Sequence, residues 1–187
     1  MVSDIADSNI TKNALAASVK NLMKEKSFQK ISVSDICKEC GMNRKSFYYH
    51  FKDKYDLVNW IFYVDFIGKI NIKSYEDVWD FFYDVCEHLY NERDFYRNAL
   101  EFDGQNSFKD YFIEILNPIL LLFFQDVLKK SVDQEFFITF FCESTLISIL
   151  RWIKEGVEIP PDKFLATFHS IILRLAEKVV KENQVPH

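Results

Sequence analysis

Glycine and proline are scarce. The 187-residue chain holds 4 of each, about 4% together against an average usage near 12%. Sandwiches and barrels need both residues to punctuate their many turns, so all-β folds are excluded first. Long apolar runs are missing too. No stretch reaches about 18 apolar residues without a charge, so no membrane span is expected. The start, MVSDIADSNITKN, has no apolar run after a basic segment and does not read as a signal peptide. Cys37, Cys40, Cys86 and Cys142 are the only cysteines. They are too few and too irregular for a secreted disulfide framework, and a reducing cytoplasm is the expected compartment. No G-x-S-x-G, Walker loop or G-x-G-x-x-G is present.

Aromatic residues are abundant instead. The chain has 19 Phe, 9 Tyr and 3 Trp, and 49% of its residues are apolar, enough for a sizeable core. The net charge of −5 argues at first against a nucleic-acid partner, but it averages two unlike segments. Residues 1–54 carry 10 Lys/Arg and 6 Asp/Glu, whereas residues 55–187 carry 13 and 22. The first segment is therefore +4 and the second −9, an asymmetry that suggests two tasks on one chain. Only 3 of the 19 Phe lie in the first segment.

Apolar spacing predicts an all-α chain of about nine helices. The first covers 9–26, with Ile10, Ala14, Leu15, Val19, Leu22 and Met23 on its spacing. Ser32-Val33-Ser34-Asp35 matches a capping box and opens a short helix to Cys40. Gly41 sits where a left-handed residue ends a helix cheaply. Asn43 caps a second short helix, Arg44 to His50. A fourth helix, 54–67, carries Leu57, Val58, Trp60, Ile61 and Val64. Further helices are expected over 75–91 (capped by Ser74), 94–102, 106–129 (kinked at Pro118) and 132–155. The last runs from Pro160-Pro161 to about Asn183.

Two short helices around a Gly-apolar turn form a helix-turn-helix. Val33, Ile36, Cys37 and Cys40 supply one inner face, and Met42, Phe47 and Phe51 the other. Arg44, Lys45, Ser46, Tyr48, Tyr49 and His50 are left to face outward. None is acidic, which suits a groove lined by phosphates.

The stretch ISVSDICKECGMNRKSFYYHFKDKYDLVNWIF resembles the DNA-binding signature of the TetR family of transcriptional regulators. The likeness covers roughly residues 10–62. It rests on the cap-Ile-Gly-apolar frame, the Phe-Tyr-x-His-Phe run, and Lys-Asp-Lys before an amphipathic helix. ILRWIKEGVEIPPDKFLATF resembles the end of the family's penultimate helix and the loop after it. The whole is similar to a Firmicute-type subgroup of dihydroxyacetone-kinase-operon-like regulators.

The resemblance implies an N-terminal helix-turn-helix domain over 1–54, a connecting helix, and an effector-binding and dimerisation domain over 68–187. It implies that Ser32 and Ser34 touch DNA backbone and that Asn43–His50 is the recognition helix. Arg44, Lys45 and Ser46 would face base edges. Tyr48, Tyr49 and His50 would meet phosphates and base methyls, and Lys54 a phosphate. Arg44 is the candidate for a bidentate contact to guanine. Lys45 stands where many members have a small residue, so the operator stays open. A homodimer on a palindromic operator is expected, read as a repressor. Its seam is expected from Leu146, Ile149, Leu150 and Ile153 with Phe164, Phe168, Ile171 and Leu175.

Trp79, Phe82, Tyr83, Cys86, Phe108, Phe112, Phe137 and Phe141 read either as core or as walls of a cavity for a small apolar or aromatic-compatible effector. Cys37 and Cys40 form C-x-x-C, but no second pair completes a tetrahedral metal site, so they read as core. A di-iron bundle needs Glu three residues before a His, whereas Val85 precedes His88 and Ala166 precedes His169. Asp80 and Asp84 read as a solvated face. No cofactor, metal or enzymatic activity is expected. The rival reading is a helical interaction module that keeps the fold without binding DNA, which would have no reason to keep an acid-free 44–50 face.

Overall fold

The computed structural model describes residues 2–124, 132–156 and 159–183, with side chains throughout except at 2–7, 132–135, 137 and 175–183. Among the described residues there are nine α-helices and no strand. They are α1 (Val2–Glu25), α2 (Val33–Glu39), α3 (Arg44–His50), α4 (Lys54–Asp65), α5 (Val78–Asn91), α6 (Arg93–Ala99), α7 (Phe108–Phe123), α8 (Val132–Lys154) and α9 (Pro161–Asn183). No described helix is long and apolar enough to cross a membrane.

Helix starts follow cap chemistry, since the first turn of every helix has unpaired N–H groups. Asp53 accepts from the amides of Tyr55 and Asp56, both at 2.8 Å, and opens α4. Ser107 does the same for α7 through the Asp110 amide. Three expected boundaries move. The first helix begins at Val2, not near Asn9. Ser74 ends a short 3-10 turn, and Asp77 caps α5 instead, because its carboxylate reaches the amides of Trp79 and Asp80 at 2.7 and 3.1 Å. The helix expected over 106–129 ends at Phe123; residues 125–131 lie outside the described residues. Pro118 lies within it.

One continuous core runs through the molecule. From α1 it takes Leu15, Val19 and Met23, one helical face at i, i+4 and i+8. Phe62 of α4 is a central member. Its ring lies within 6.5 Å of Phe66, His88, Tyr96, Phe108, Tyr111 and Phe112, centroid to centroid. It thereby joins α4 to α5, α6 and α7. His88 accepts or donates one hydrogen bond to the Tyr96 hydroxyl at 2.8 Å, and burial lowers its pKa below the ordinary histidine value.

A second, polar connection holds the end of α1. The Asn98 amide of α6 donates to the carbonyls of Met23 (2.9 Å) and Lys26 (3.2 Å), and its oxygen accepts from the Phe28 amide at 2.6 Å. One side chain thus takes two carbonyls that a helix C-terminus leaves open and the first amide of the next turn. Nearby, Ser27 donates to the Glu101 carboxylate at 2.8 Å, and Gln29 to the Glu101 carbonyl at 2.9 Å. Replacing Asn98 with Ala strands these groups. Asn98→Ala is expected to cost about 1–3 kcal/mol in urea unfolding. A loss under about 0.5 kcal/mol would mean that the joint does not depend on this side chain.

Candidate nucleic-acid interface

The α2–α3 elbow is built by local rules. Ser32 accepts from the Asp35 amide at 3.1 Å, and the Asp35 carboxylate accepts from the Ser32 amide at 2.9 Å. This closes the expected capping box. These bonds hold the Asp35 carboxyl below its ordinary pKa. At the far end the Met42 amide donates to the Cys37 carbonyl at 2.8 Å and the Gly41 amide to the Lys38 carbonyl at 3.2 Å. That is the Schellman pattern, with Gly41 as its left-handed residue at φ +70°. Asn43 then caps α3, its side-chain oxygen accepting from the Ser46 amide (2.9 Å) and hydroxyl (3.2 Å).

Phe47 and Phe51 are buried beneath α3 and lie 5.8 Å apart, ring to ring. This orientation leaves Arg44, Lys45, Tyr48 and Tyr49 exposed on the other side. Tyr49 is 83% exposed, unusual for so large an aromatic. Arg44 donates to the Tyr48 hydroxyl at 3.3 Å and lies over its ring at 5.6 Å. Ser46 is half-buried and engaged with Asn43. His50 is half-buried; burial and the charge of Lys12 lower its pKa. Ser32 and Ser34 are exposed on α2's first turn. The arrangement offers two cations, two phenols and a helix N-terminus without a carboxylate on the helix itself.

Lys54 departs from expectation. Its ammonium donates to three backbone carbonyls, those of Phe28 (2.7 Å), Gln29 (3.2 Å) and Ile31 (2.7 Å). It also lies over the Phe28 ring at 4.6 Å. An ammonium has three donors, and all three are used. Desolvation lowers its pKa. The side chain ties α4 to the turn after α1, which leaves no donor for a phosphate in this arrangement.

The expected effector residues do not form one set. Phe82, Cys86, Phe108 and Phe112 are fully buried. Phe108 and Phe112 belong to the cluster around Phe62. Trp79 and Phe141 are half-buried, and Trp79 packs on Phe82, Phe141, Phe168 and His169. Tyr83 faces solvent. The Phe137 side chain lies outside the described residues. A cleft of about 580 Å³ opens elsewhere, between α1 and α6, lined among others by Lys20, Lys24, Arg93 and Phe95.

The expected dimer stripe on α8 needs correction. Leu146, Ile149, Leu150 and Ile153 are buried within the protomer, because α7 and α6 cover that face. Phe136, Phe140 and Ile147, at i, i+4 and i+11, are 74%, 61% and 48% exposed on another side of the same helix. Apolar residues occupy more than one face of α8, so periodicity alone did not choose between them. On α9, Phe164 stacks on Trp152 at 4.7 Å and Phe168 on Phe164 at 6.2 Å, both half-buried. Ile171 is exposed, and the Leu175 side chain lies outside the described residues. Among the described residues no group of three His, Cys, Asp or Glu is placed to hold a metal.

Comparison with known proteins gives consistent matches. Residues 15–61 match the family model described as bacterial regulatory proteins, tetR family. Residues 76–174, more than half of the chain, match the model of a transcriptional regulator C-terminal region, TetR_C_8. Over 65 residues the chain is 38% identical to the HTH-type dhaKLM operon transcriptional activator DhaS of Lactococcus lactis. That match spans 35% of this chain and only 35% of the relative's length. The solved structure of a dihydroxyacetone kinase operon activator DhaS superposes with a TM-score of 0.65 at 24% identity, covering 89% of this chain and 96% of that one. At this identity the likeness is one of fold.

The two lysines at the elbow separate by measurement. Lys54→Met is expected to cost about 1–3 kcal/mol of stability, because it strands carbonyls. Lys45→Met, at an exposed position, is expected to change stability by less than about 0.5 kcal/mol. Equal costs in a denaturant titration would refute the clamp.

Proposed function

This chain belongs to the TetR family of DNA-binding transcriptional regulators, and from that premise we propose how it binds and is controlled. The observation that carries the reading is the exposed face of α3, basic and phenolic without an acid. In this reading residues 1–54 form the DNA-binding head, the 54–67 helix connects, and residues 68–187 form the body. α3 enters the major groove. Arg44 and Lys45 face base edges, with Asn43 and Ser46 shaping the helix start. Tyr48, Tyr49 and His50 meet backbone and base methyls, and Ser32 and Ser34 the flanking phosphates. The −9 body is repelled by DNA, which confines contact to the head.

Two heads on a palindrome about 34 Å apart require a two-fold dimer. We assign its seam to the exposed stripe Phe136, Phe140 and Ile147, with Ile171, since exposed apolar faces of this kind are costly unless covered. The name activator borne by the relatives favours activation of transcription over the repression expected from the family resemblance. A small effector held by the body would act by shifting the spacing of the heads. The Asn98 joint between α6 and the end of α1 is one polar link through which such a shift could pass.

Fluorescence anisotropy on DNA from upstream of the protein's own gene tests the reading. Arg44→Ala is expected to weaken binding about tenfold to a hundredfold, the cost of one bidentate base contact. Affinity is expected to fall steeply with salt, because phosphate neutralisation dominates. A flat salt slope together with unchanged affinity for Arg44→Ala would remove α3 from the interface.

A further inference from the structure

We propose that Tyr48 is a positioning residue for Arg44, so that the pair reads a guanine as one unit. This rests on the assignment of α3 to the DNA interface. Arg44 is the first residue of α3 and Tyr48 lies one turn later, at i+4, where side chains on a helix meet. The guanidinium donates to the hydroxyl at 3.3 Å and covers the ring at 5.6 Å. The ring is itself braced edge-on by the buried Phe47, 5.5 Å away. A rigid core residue thus holds a phenol, and the phenol holds an arginine that would otherwise sweep many rotamers in solvent.

The chemistry of the partner matters. A carboxylate at position 48 would pair with Arg44, cancel its charge and repel phosphate. A phenol orients the guanidinium while leaving it fully charged. Of its five N–H donors one points at Tyr48, and the rest remain for the O6 and N7 acceptors of a guanine. Among the described residues Arg44 forms no ion pair that would have to be broken first. Because the Tyr48 oxygen accepts from Arg44, its own hydrogen is free to be donated to a DNA phosphate. Base reading and backbone contact are thereby linked through one hydroxyl.

The test uses full-length protein and a duplex selected by the wild type from a randomised pool, with each guanine replaced in turn by 7-deazaguanine. Wild type is expected to lose about tenfold in affinity at one guanine per half-site, where N7 is removed. Tyr48→Phe is expected to bind the parent duplex about threefold to tenfold more weakly, and its 7-deaza penalty to shrink below about threefold. Arg44→Ala should abolish the penalty, and adding Tyr48→Phe to it should weaken binding less than Tyr48→Phe weakens the wild type, since only the phosphate contact is left to lose. A Tyr48 that only touched phosphate would lower affinity for every duplex evenly and keep the penalty whole; that result overturns the proposal and leaves the DNA reading intact. Effects of the two substitutions that simply multiply would overturn it as well. Failure of the wild type to select any duplex would sink both.

Discussion

A few polar side chains hold the short stretch of backbone where α1 ends and the chain turns toward α2. Asn98 takes the carbonyls of Met23 and Lys26 and the amide of Phe28. Lys54 takes the carbonyls of Phe28, Gln29 and Ile31. A helix end cannot be half-buried with its carbonyls unanswered. Here the answers come from two other helices, α6 and α4. The direction in which α2 and α3 leave α1 is therefore set by residues 23 to 75 positions away. A displacement of α6 has to move this turn or break hydrogen bonds. Hydrophobic contact alone, which is non-directional, would let α6 slide.

Charge is organised around the same region. Lys20 of α1 pairs with Asp65 at the end of α4 (2.9 Å) and with Glu92 beside α6 (3.4 Å). These pairs are partly exposed, and each contributes little to stability on its own. Their value is in register: one cation meets two elements at once. Of the ten cations of residues 1–54 two, Arg44 and Lys45, stand on α3 with no acid on the same helix, and its side chains pair with neutral groups such as the Tyr48 hydroxyl and the Asn43 amide. The protein spends its acids elsewhere, over the later helices.

What the sequence disclosed and what it hid divide by range. The capping box of Ser32 and Asp35, the Gly41 turn, the Asn43 cap and the inward Phe47 and Phe51 are decided within five residues, and local rules located all of them. Fold class followed from the lack of turn formers and from helical spacing. Lys54 is legible as a residue at the start of a helix, but its partners lie more than twenty residues back, and nothing local distinguishes a lysine that binds backbone from one that awaits a phosphate. Asn98 looks like any polar residue of a short helix until α1 is packed beside it. On α8 apolar residues lie on two sides. Which side is covered depends on where α7 and α6 dock, so Leu146 and Ile149 turned inward while Phe136 and Phe140 stayed out.

The residues that shape the elbow are a different set from those it presents. Ser32, Asp35, Gly41, Asn43, Phe47 and Phe51 hold the two helices in place. Arg44, Lys45, Tyr48 and Tyr49 rest on that frame, contributing little to it. Substitutions in the second set leave folding stability nearly untouched. On the proposed reading of α3, a lineage carrying this scaffold is free to drift in which DNA sequence it prefers, one side chain at a time, without passing through unfolded intermediates. The proposed Arg44–Tyr48 unit is the exception: there two positions would have to change together.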